Sequence, residues 1–142
     1  MTGAADVAGL AKGWIGTPYR HQGAARGAGC DCLGLVRGIW RDLYGREAEP
    51  IPPYSPDWRR GDEGISLEAA AFRHLQPVEG GPEAGHVVLF RLSRRLDVRH
   101  CGVMSGQDVF VHAQEQVGVV QARLDARWRA RLAGVFAFPP RR

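Results

Sequence analysis

A cysteine at the predicted start of a helix is the feature that most constrains this chain. Asp31 precedes Cys32 at the position of an N-cap, and apolar residues follow at helical spacing. The apolar face consists of Cys32, Leu35, Val36, Ile39, Trp40 and Leu43. A thiol in the first turn of a helix meets unpaired N–H groups and the positive end of the helix dipole, which both favour the thiolate. The sequence therefore predicts that Cys32 is an activated nucleophile.

Length and composition indicate one folded domain spanning residues 1–142. Hydrophobic residues make up 44% of the chain and charged residues 24%, which is typical of a folded domain. The sequence contains no apolar run long enough to cross a membrane. Its first residues lack the basic and apolar regions of a secretory signal. We therefore expect a chain that is made in the cytoplasm without a signal peptide and that needs a carrier to act elsewhere.

The net charge and the cysteine content limit which ligands and cross-links the chain is expected to have. The net charge of +4 favours anionic partners. The sequence lacks the pattern of basic residues interleaved with aromatic residues that would predict nucleic-acid binding. The arginines between residues 123 and 131 are interpreted as a solvated basic face. The three cysteines are an odd number, and a Cys-x-Cys pair without a second cysteine pair fits a zinc site poorly. We therefore predict neither a metal nor a disulfide framework.

The order of the predicted elements indicates an α+β fold. Helices are predicted over 4–14, 32–44, 65–76 and 125–131, with Gly45 ending the second. Strands are predicted over 86–92, 98–104, 108–113, 116–121 and 134–138. A glycine-rich loop over 20–30 and an extended surface loop over 49–64 complete the chain. Because the helices come mainly first and the strands second, we expect helices packed on a small antiparallel sheet.

Two histidines in consecutive predicted strands supply a candidate base and its orienting partner. If the hairpin turns through 105–107, His100 lies directly opposite His112, with Cβ atoms roughly 5 Å apart. A slip by one residue would separate the two rings. The same alternation points Cys101 away from His100, so Cys101 is predicted to lie outside the site. His21, in the glycine-rich loop, remains a second candidate.

Four segments together resemble the NlpC-type cell-wall cysteine peptidases. They are Gly-Thr-Pro-Tyr at 16–19, Asp-Cys-x-Gly-Leu-Val at 31–36, His-x-Gly-Val at 100–103 and Val-His-Ala at 111–113. The first two are the more specific, and the resemblance covers nearly the whole chain. It is strongest to the phage-tail and gene-transfer-agent branch of the family.

The resemblance implies a papain-like fold and a peptidoglycan hydrolase. It implies cleavage of stem peptides, typically between D-γ-glutamate and meso-diaminopimelate, without a cofactor. Cys32 would be the nucleophile, His100 the base and His112 the residue orienting that base. Tyr19 and Asp31 would contact the substrate. It also implies tail or baseplate hub proteins as partners, assembly into a phage-like particle, and action in the periplasm or cell wall of a target cell.

Leu33 departs from the family pattern, because many relatives carry serine after the cysteine. Three other interpretations stay open from the sequence. The first is an acyltransferase or thioesterase on the same scaffold. The second is a non-catalytic structural component of a tail tip. The third is a metal or redox module built on Cys30, Cys32 and nearby histidines.

Overall fold

The computed structural model describes residues 4–49, 66–91 and 98–140. These residues form four helices, a two-stranded hairpin and a six-stranded sheet. The helices are α1 (Ala4–Gly13), α2 (Cys32–Tyr44), α3 (Leu67–His74) and α4 (Ala126–Ala130). The strands are β1 (Ala24–Ala25), β2 (Gly29–Cys30), β3 (Gln76–Pro77), β4 (Val87–Arg91), β5 (Val98–Met104), β6 (Val109–Gln114), β7 (Gly118–Arg123) and β8 (Leu132–Ala137).

The large sheet has the strand order β3-β8-β4-β5-β6-β7, and its neighbouring strands pair antiparallel. The predicted α+β architecture is therefore confirmed, and so are the four predicted helices and five predicted strands, within a few residues at their ends. The sequence did not predict β3 or the β1–β2 hairpin inside the glycine-rich loop. The predicted surface loop over 49–64 lies almost entirely outside the described residues. Within the described part of the chain, none of the helices is long and apolar enough to cross a membrane.

Helix α2 begins and ends as its sequence dictates. The Asp31 side chain accepts a hydrogen bond from the Gly34 N–H at 2.7 Å, which satisfies one of the unpaired donors of the first turn. At the other end Gly45 adopts a φ of 77° and donates its N–H to the carbonyl of Arg41 at 2.8 Å. The apolar face of the helix packs against the sheet, with Leu35 and Ile39 fully buried.

The sheet is covered on both faces, because all seven residues of β5 are buried. One face carries Leu89, Cys101 and Val103 and packs against the core that includes α1 and α2. The opposite face carries a second apolar cluster with Phe90 and Phe110, on which Trp128 of α4 packs. Strand β5 therefore presents Cys101 to one layer and its even-numbered residues to the other.

The β5–β6 hairpin is shifted by two residues from the predicted alignment. The observed pairs are Val103 with Val111 and Met104 with Phe110, and the Ser105 N–H donates to the Val109 carbonyl at 3.0 Å. The loop is thus 106–108 rather than 105–107. Ser105, which follows the last residue of β5, is tied to β7, since its hydroxyl donates to the Gln121 side chain at 2.8 Å.

The shift does not disturb the shared face of the two histidines. A displacement of two residues keeps every side chain on its original side, whereas a displacement of one would not. His112 now lies opposite Gly102 instead of His100. A Cβ at Gly102 would lie 3.3 Å from the His112 Cβ and 2.8 Å from the Val111 carbonyl oxygen. The absent side chain at Gly102 leaves room for the two rings to meet diagonally.

Candidate active site

The start of α2 is fixed to the glycine-rich loop by close backbone contacts. The two Asp31 carboxylate oxygens accept the N–H groups of Gly34 at 2.7 Å and Gln22 at 2.8 Å. The Asp31 N–H donates to the Gly23 carbonyl at 3.2 Å. A Cβ at Gly34 would lie only 1.7 Å from that same carbonyl oxygen. Only glycine fits at position 34 without moving this loop, so the loop and Cys32 are positioned together.

The Cys32 thiol lies in surroundings that stabilise its ionised form. Cys32 is buried, with 2% of its surface exposed. The neighbouring Cys101 side chain lowers the pKa of Cys32 most, burial opposes this, and the hydrogen bond and charge of His100 lower it further, while the Asp31 charge raises it. The net result is a pKa of about 5, against an ordinary value of 9.0. A pKa of about 5 favours the Cys32 thiolate near neutral pH, and its causes are the side chains of Cys101 and His100 rather than the helix position that the sequence suggested.

The Cys101 thiol belongs to the surroundings of Cys32, which corrects the sequence-based prediction that it lies outside the site. Its Sγ donates to the Cys32 carbonyl oxygen at 3.2 Å, and its residue is 2% exposed. Strand alternation does direct Cys101 away from the face of His100. That other face is the one on which α2 packs, and α2 begins at Cys32. Packing α2 on the Cys101 face was the inference that sequence reasoning missed.

The two predicted histidines are in direct contact. Nε2 of His100 lies 2.9 Å from Nδ1 of His112, and the rings meet edge to face with centroids 5.1 Å apart. Burial, followed by the charge of His100, lowers the pKa of His112 to about 3. His112 is therefore neutral near pH 7.

The proton positions follow from this contact. We assign the His112 proton to Nε2, so that its Nδ1 accepts from Nε2–H of His100. This leaves Nδ1 of His100 to exchange a proton with Cys32. That nitrogen is buried and, among the described residues, has no hydrogen-bond partner of ordinary geometry. The orientation of His100 is thus set through Nε2, and Nδ1 is the nitrogen left to act on the Cys32 thiol.

An aromatic cluster that the sequence did not predict surrounds the histidine pair. Trp128 stacks on His100 with ring centroids 5.9 Å apart and meets the His112 ring at 5.3 Å. Phe90 stacks on His100 from the neighbouring strand at 6.0 Å. The available signal was Trp128 itself, an apolar side chain in a short helix otherwise rich in arginine. Its indole ring restricts the motion of both imidazoles and limits their contact with water.

A cleft of about 600 Å³ opens onto the histidines. It is lined by His100, His112, Trp128, Ala122 and the segment 113–116. A second, apolar cavity of about 80 Å³ lies between α2 and α3 and is lined in part by Leu33 and Cys101. Leu33, the departure from the family pattern, therefore lines this second cavity. The cleft at the histidines is the better candidate for a substrate site because polar groups converge there, and Cys32 is not among the residues that line it.

Tyr19 lies beside the cysteine segment. It forms a parallel bridge with Cys30, and the flanking Arg20 N–H and Cys30 N–H donate at 3.0 Å to the carbonyls of Cys30 and Pro18. Tyr19 is half-buried and packs against the main core. Asp31 is fully buried and holds the start of α2. The contact of these two side chains with substrate stays a prediction.

Each of the remaining histidines has a side-chain or backbone partner. Nε2 of His74 lies 2.9 Å from the Glu49 carboxylate, and Nδ1 of His86 accepts the Glu83 N–H at 3.0 Å. Nε2 of His21, the second candidate base, lies 3.3 Å from the side-chain nitrogen of the adjacent Gln22. Within the described residues, no three His, Cys, Asp or Glu side chains cluster as a metal site would require.

Comparison with known proteins places the chain in a family. The NlpC/P60 family model matches residues 16–136. The chain is 26% identical over 133 residues to a gamma-DL-glutamyl hydrolase of Bacillus subtilis, covering 90% of this chain and 28% of that protein. It is 29% identical over 119 residues to the Escherichia coli murein DD-endopeptidase MepS/murein LD-carboxypeptidase, covering 83% of this chain and 54% of that protein. The chain thus spans less than two thirds of either relative.

Solved structures agree on the fold. The NlpC/p60 domain of the peptidoglycan hydrolase SagA superimposes with a TM-score of 0.62 at 22% identity, covering 96% of this chain and all of that domain. NlpC2 of Trichomonas vaginalis superimposes with a TM-score of 0.70 at 16% identity, covering 97% of this chain and 49% of that one. The predicted NlpC-type fold is therefore confirmed, and the chain belongs to the NlpC/P60 family.

Proposed function

We propose that this chain is a cysteine peptidase that hydrolyses stem peptides of peptidoglycan, with Cys32 as nucleophile, His100 as general acid and base, and His112 as the residue that orients His100. The observation that carries the proposal is the 2.9 Å contact between His100 and His112, made where His100 also acts on the buried Cys32 thiol. Family membership and the names of the relatives support the substrate class.

The acylation step uses the charge separation between Cys32 and His100. The thiolate attacks the amide carbonyl carbon, a C–S bond forms, and the carbonyl oxygen becomes an oxyanion. The Cys32 N–H at the start of α2 is a candidate donor to that oxyanion. The C–N bond then breaks as Nδ1–H of His100 gives its proton to the departing amine. Neutral His112 keeps the His100 ring in place through Nε2 during this transfer.

Deacylation reverses the role of His100. A water molecule gives a proton to Nδ1 of His100 and attacks the thioester carbon. The C–S bond breaks, the acid product leaves, and Cys32 returns to the thiolate. Each step uses side chains of this chain, water and the substrate.

The bond between D-γ-glutamate and meso-diaminopimelate is our proposed point of cleavage. One relative is named for γ-glutamyl hydrolysis and another for DD-endopeptidase and LD-carboxypeptidase activity. These names cover three kinds of bond. We choose the γ-glutamyl bond because the name of the first relative and the resemblance noted in the sequence both point to it.

We further propose that the enzyme acts from a phage-like tail tip or gene transfer agent. The supporting observation is the sequence resemblance to that branch of the family. In this proposal, tail or baseplate hub proteins hold the domain and deliver it to the wall of a target cell. Copurification of the domain with assembled particles tests it, and particles that lack the domain would contradict it.

Digestion of purified sacculi tests the enzymatic proposal. The wild type is incubated with sacculi beside Cys32→Ala and His100→Ala, and released fragments are identified by mass spectrometry. We expect fragments that begin with the diamino acid from the wild type and none from either variant. Poly-γ-glutamate serves as a second substrate in parallel.

The other outcomes identify competing functions. Cleavage elsewhere in the stem would correct the bond but keep the peptidase. Intact stem peptides with all three proteins would contradict the peptidase and leave a non-catalytic tail-tip component. Turnover of thioesters or acyl donors without peptide cleavage would favour an acyltransferase or thioesterase on the same scaffold.

A further inference from the structure

The arginines of α4 differ in their partners. Arg129 is committed, because its guanidinium lies 2.9 Å from the Asp108 carboxylate and donates at 3.1 Å to the Leu124 carbonyl. Arg127 and Arg131 are both exposed, and among the described residues neither forms an ion pair. Four positions apart, they lie on one side of the short helix and its cap. Arg127 and Arg131 belong to the segment that we interpreted from the sequence as a solvated basic face, and both are available to bind an anion.

These two arginines lie next to the histidine cleft. They line a pocket of about 180 Å³ together with Asp125 and Trp128. Trp128 also lines the cleft of about 600 Å³ that contains His100. Trp128 is therefore the residue that the two cavities share. A substrate that occupies the cleft contacts a residue that also lines the arginine pocket.

The charge balance of the small pocket is positive. Asp125 is the carboxylate in its lining, and one of its oxygens accepts the Trp128 N–H at 3.1 Å as the N-cap of α4. Two guanidinium groups face this one carboxylate, so one positive charge is left over. Guanidinium groups bind carboxylates in a planar, two-pronged geometry, and stacking beside an indole ring adds to such a site.

We propose that Arg127 and Arg131 form a subsite for a free carboxylate of the stem peptide and make the enzyme prefer acidic over amidated stems. This inference rests on the proposed function, which supplies the substrate class. A γ-linked glutamate keeps its α-carboxylate, and a diamino diacid keeps its second carboxylate, so such a stem offers carboxylates on both sides of the bond to be cut. Amidation removes one of these charges without changing the length of the peptide.

Binding of matched peptides tests the inference without requiring cleavage. Cys32→Ala protein is titrated by calorimetry with a synthetic stem peptide in its free-acid form and in forms amidated at one carboxylate each. The same titrations are repeated with Arg127→Gln and Arg131→Gln combined on that background. We expect one amidated form to bind about tenfold more weakly than the free acid, and the double variant to lose this difference. Arg127→Gln and Arg131→Gln are also tested singly, and Arg123→Gln is their matched control, since it removes one positive charge from an exposed residue of β7 outside both cavities.

Turnover with active protein separates the two proposals. On the free-acid peptide, the double arginine variant should raise KM about tenfold with little change in kcat. Equal affinity for all peptide forms, or an equal loss with Arg123→Gln, would overturn the subsite while cleavage upheld the peptidase. Binding with carboxylate preference but no cleavage would uphold the subsite and overturn the peptidase. Unchanged alkylation of Cys32 in the variants checks that the site remains folded.

Discussion

The Cys101 thiol controls the ionisation of the nucleophile, and this leads to the sharpest prediction. Cys101 gives the largest lowering of the Cys32 pKa, which falls from 9.0 to about 5. We replace Cys101 by Val, which fills similar space without a donor, and by Ser, which keeps one. If the Cys101 S–H turns from the Cys32 carbonyl oxygen to the Cys32 thiolate, this hydrogen bond to a charged group contributes about 1.5–3 kcal/mol, which corresponds to about 1–2 pKa units. The valine variant should therefore have a Cys32 pKa of about 6–7, and the serine variant should stay closer to the wild type.

The pH dependence of alkylation measures this pKa directly. At pH 6 a thiol of pKa 5 is about 90% thiolate, whereas one of pKa 6–7 is about 10–50% thiolate, so the valine variant should react about 2- to 10-fold more slowly. Iodoacetamide labelling is followed by mass spectrometry, with fragment ions separating Cys30 from Cys32 on the tryptic peptide 27–37. Midpoints are compared rather than absolute rates, because the thiol is buried.

Cys30 is the internal control for this assay. Burial, together with the charges of Asp31 and Cys32, raises its pKa to about 12, so it should not react near neutral pH. A wild-type midpoint above pH 8 would refute the activated nucleophile. Equal midpoints for the wild type and the valine variant would refute the role of Cys101 as a donor while leaving that of His100 intact.

Three further predictions test the site and its support. Replacing His112 by Ala should lower kcat about 100-fold with little change in KM, and Asn should restore part of the rate, measured on stem peptides. Gly34→Ala should lower the free energy of unfolding, measured in urea, by about 1–3 kcal/mol, because the added Cβ would collide with the Gly23 carbonyl. Gly9→Ala is the control: this position on α1 has open space, so the variant should raise the free energy of unfolding by up to about 1 kcal/mol. Folding lowers the pKa of Cys32 from 9.0 to about 5, so the stability that its thiolate contributes should be lost as the pH falls from 9 to 5. Folding also lowers the pKa of His112 from 6.5 to about 3, so protonation of this residue should destabilise the fold as the pH falls from 6.5 to 3. Urea midpoints that rise on acidification would contradict both.

Local chemistry explains what could be predicted from the sequence. Helix α2 was predicted almost to the residue because the carboxylate of Asp31 and the left-handed φ of Gly45 act on their immediate neighbours. The shared face of His100 and His112 was also predictable, since alternation along a strand survives a shift of two residues.

What could not be predicted depends on contacts between distant segments. The observed register of the β5–β6 hairpin comes with a hydrogen bond from Ser105 to Gln121 of β7, a contact that no turn rule contains. The placement of Trp128 over the histidines depends on how α4 packs on the finished sheet. Cys101 was excluded because its strand was considered without the helix beside it.

The four side chains of the site, two imidazoles and two thiols, come together over very different lengths of chain. The two imidazoles are joined by one hairpin and are 12 residues apart, whereas Cys101 and Cys32 are 69 residues apart. Hairpins close within microseconds, while distant contacts require most of the chain to be organised. The sulfur of a nascent or misfolded copy therefore remains an ordinary, weakly nucleophilic thiol. A lowered Cys32 pKa is thus expected only of the completed native state, and an alkylation midpoint near pH 5 would mark the molecules that have reached it.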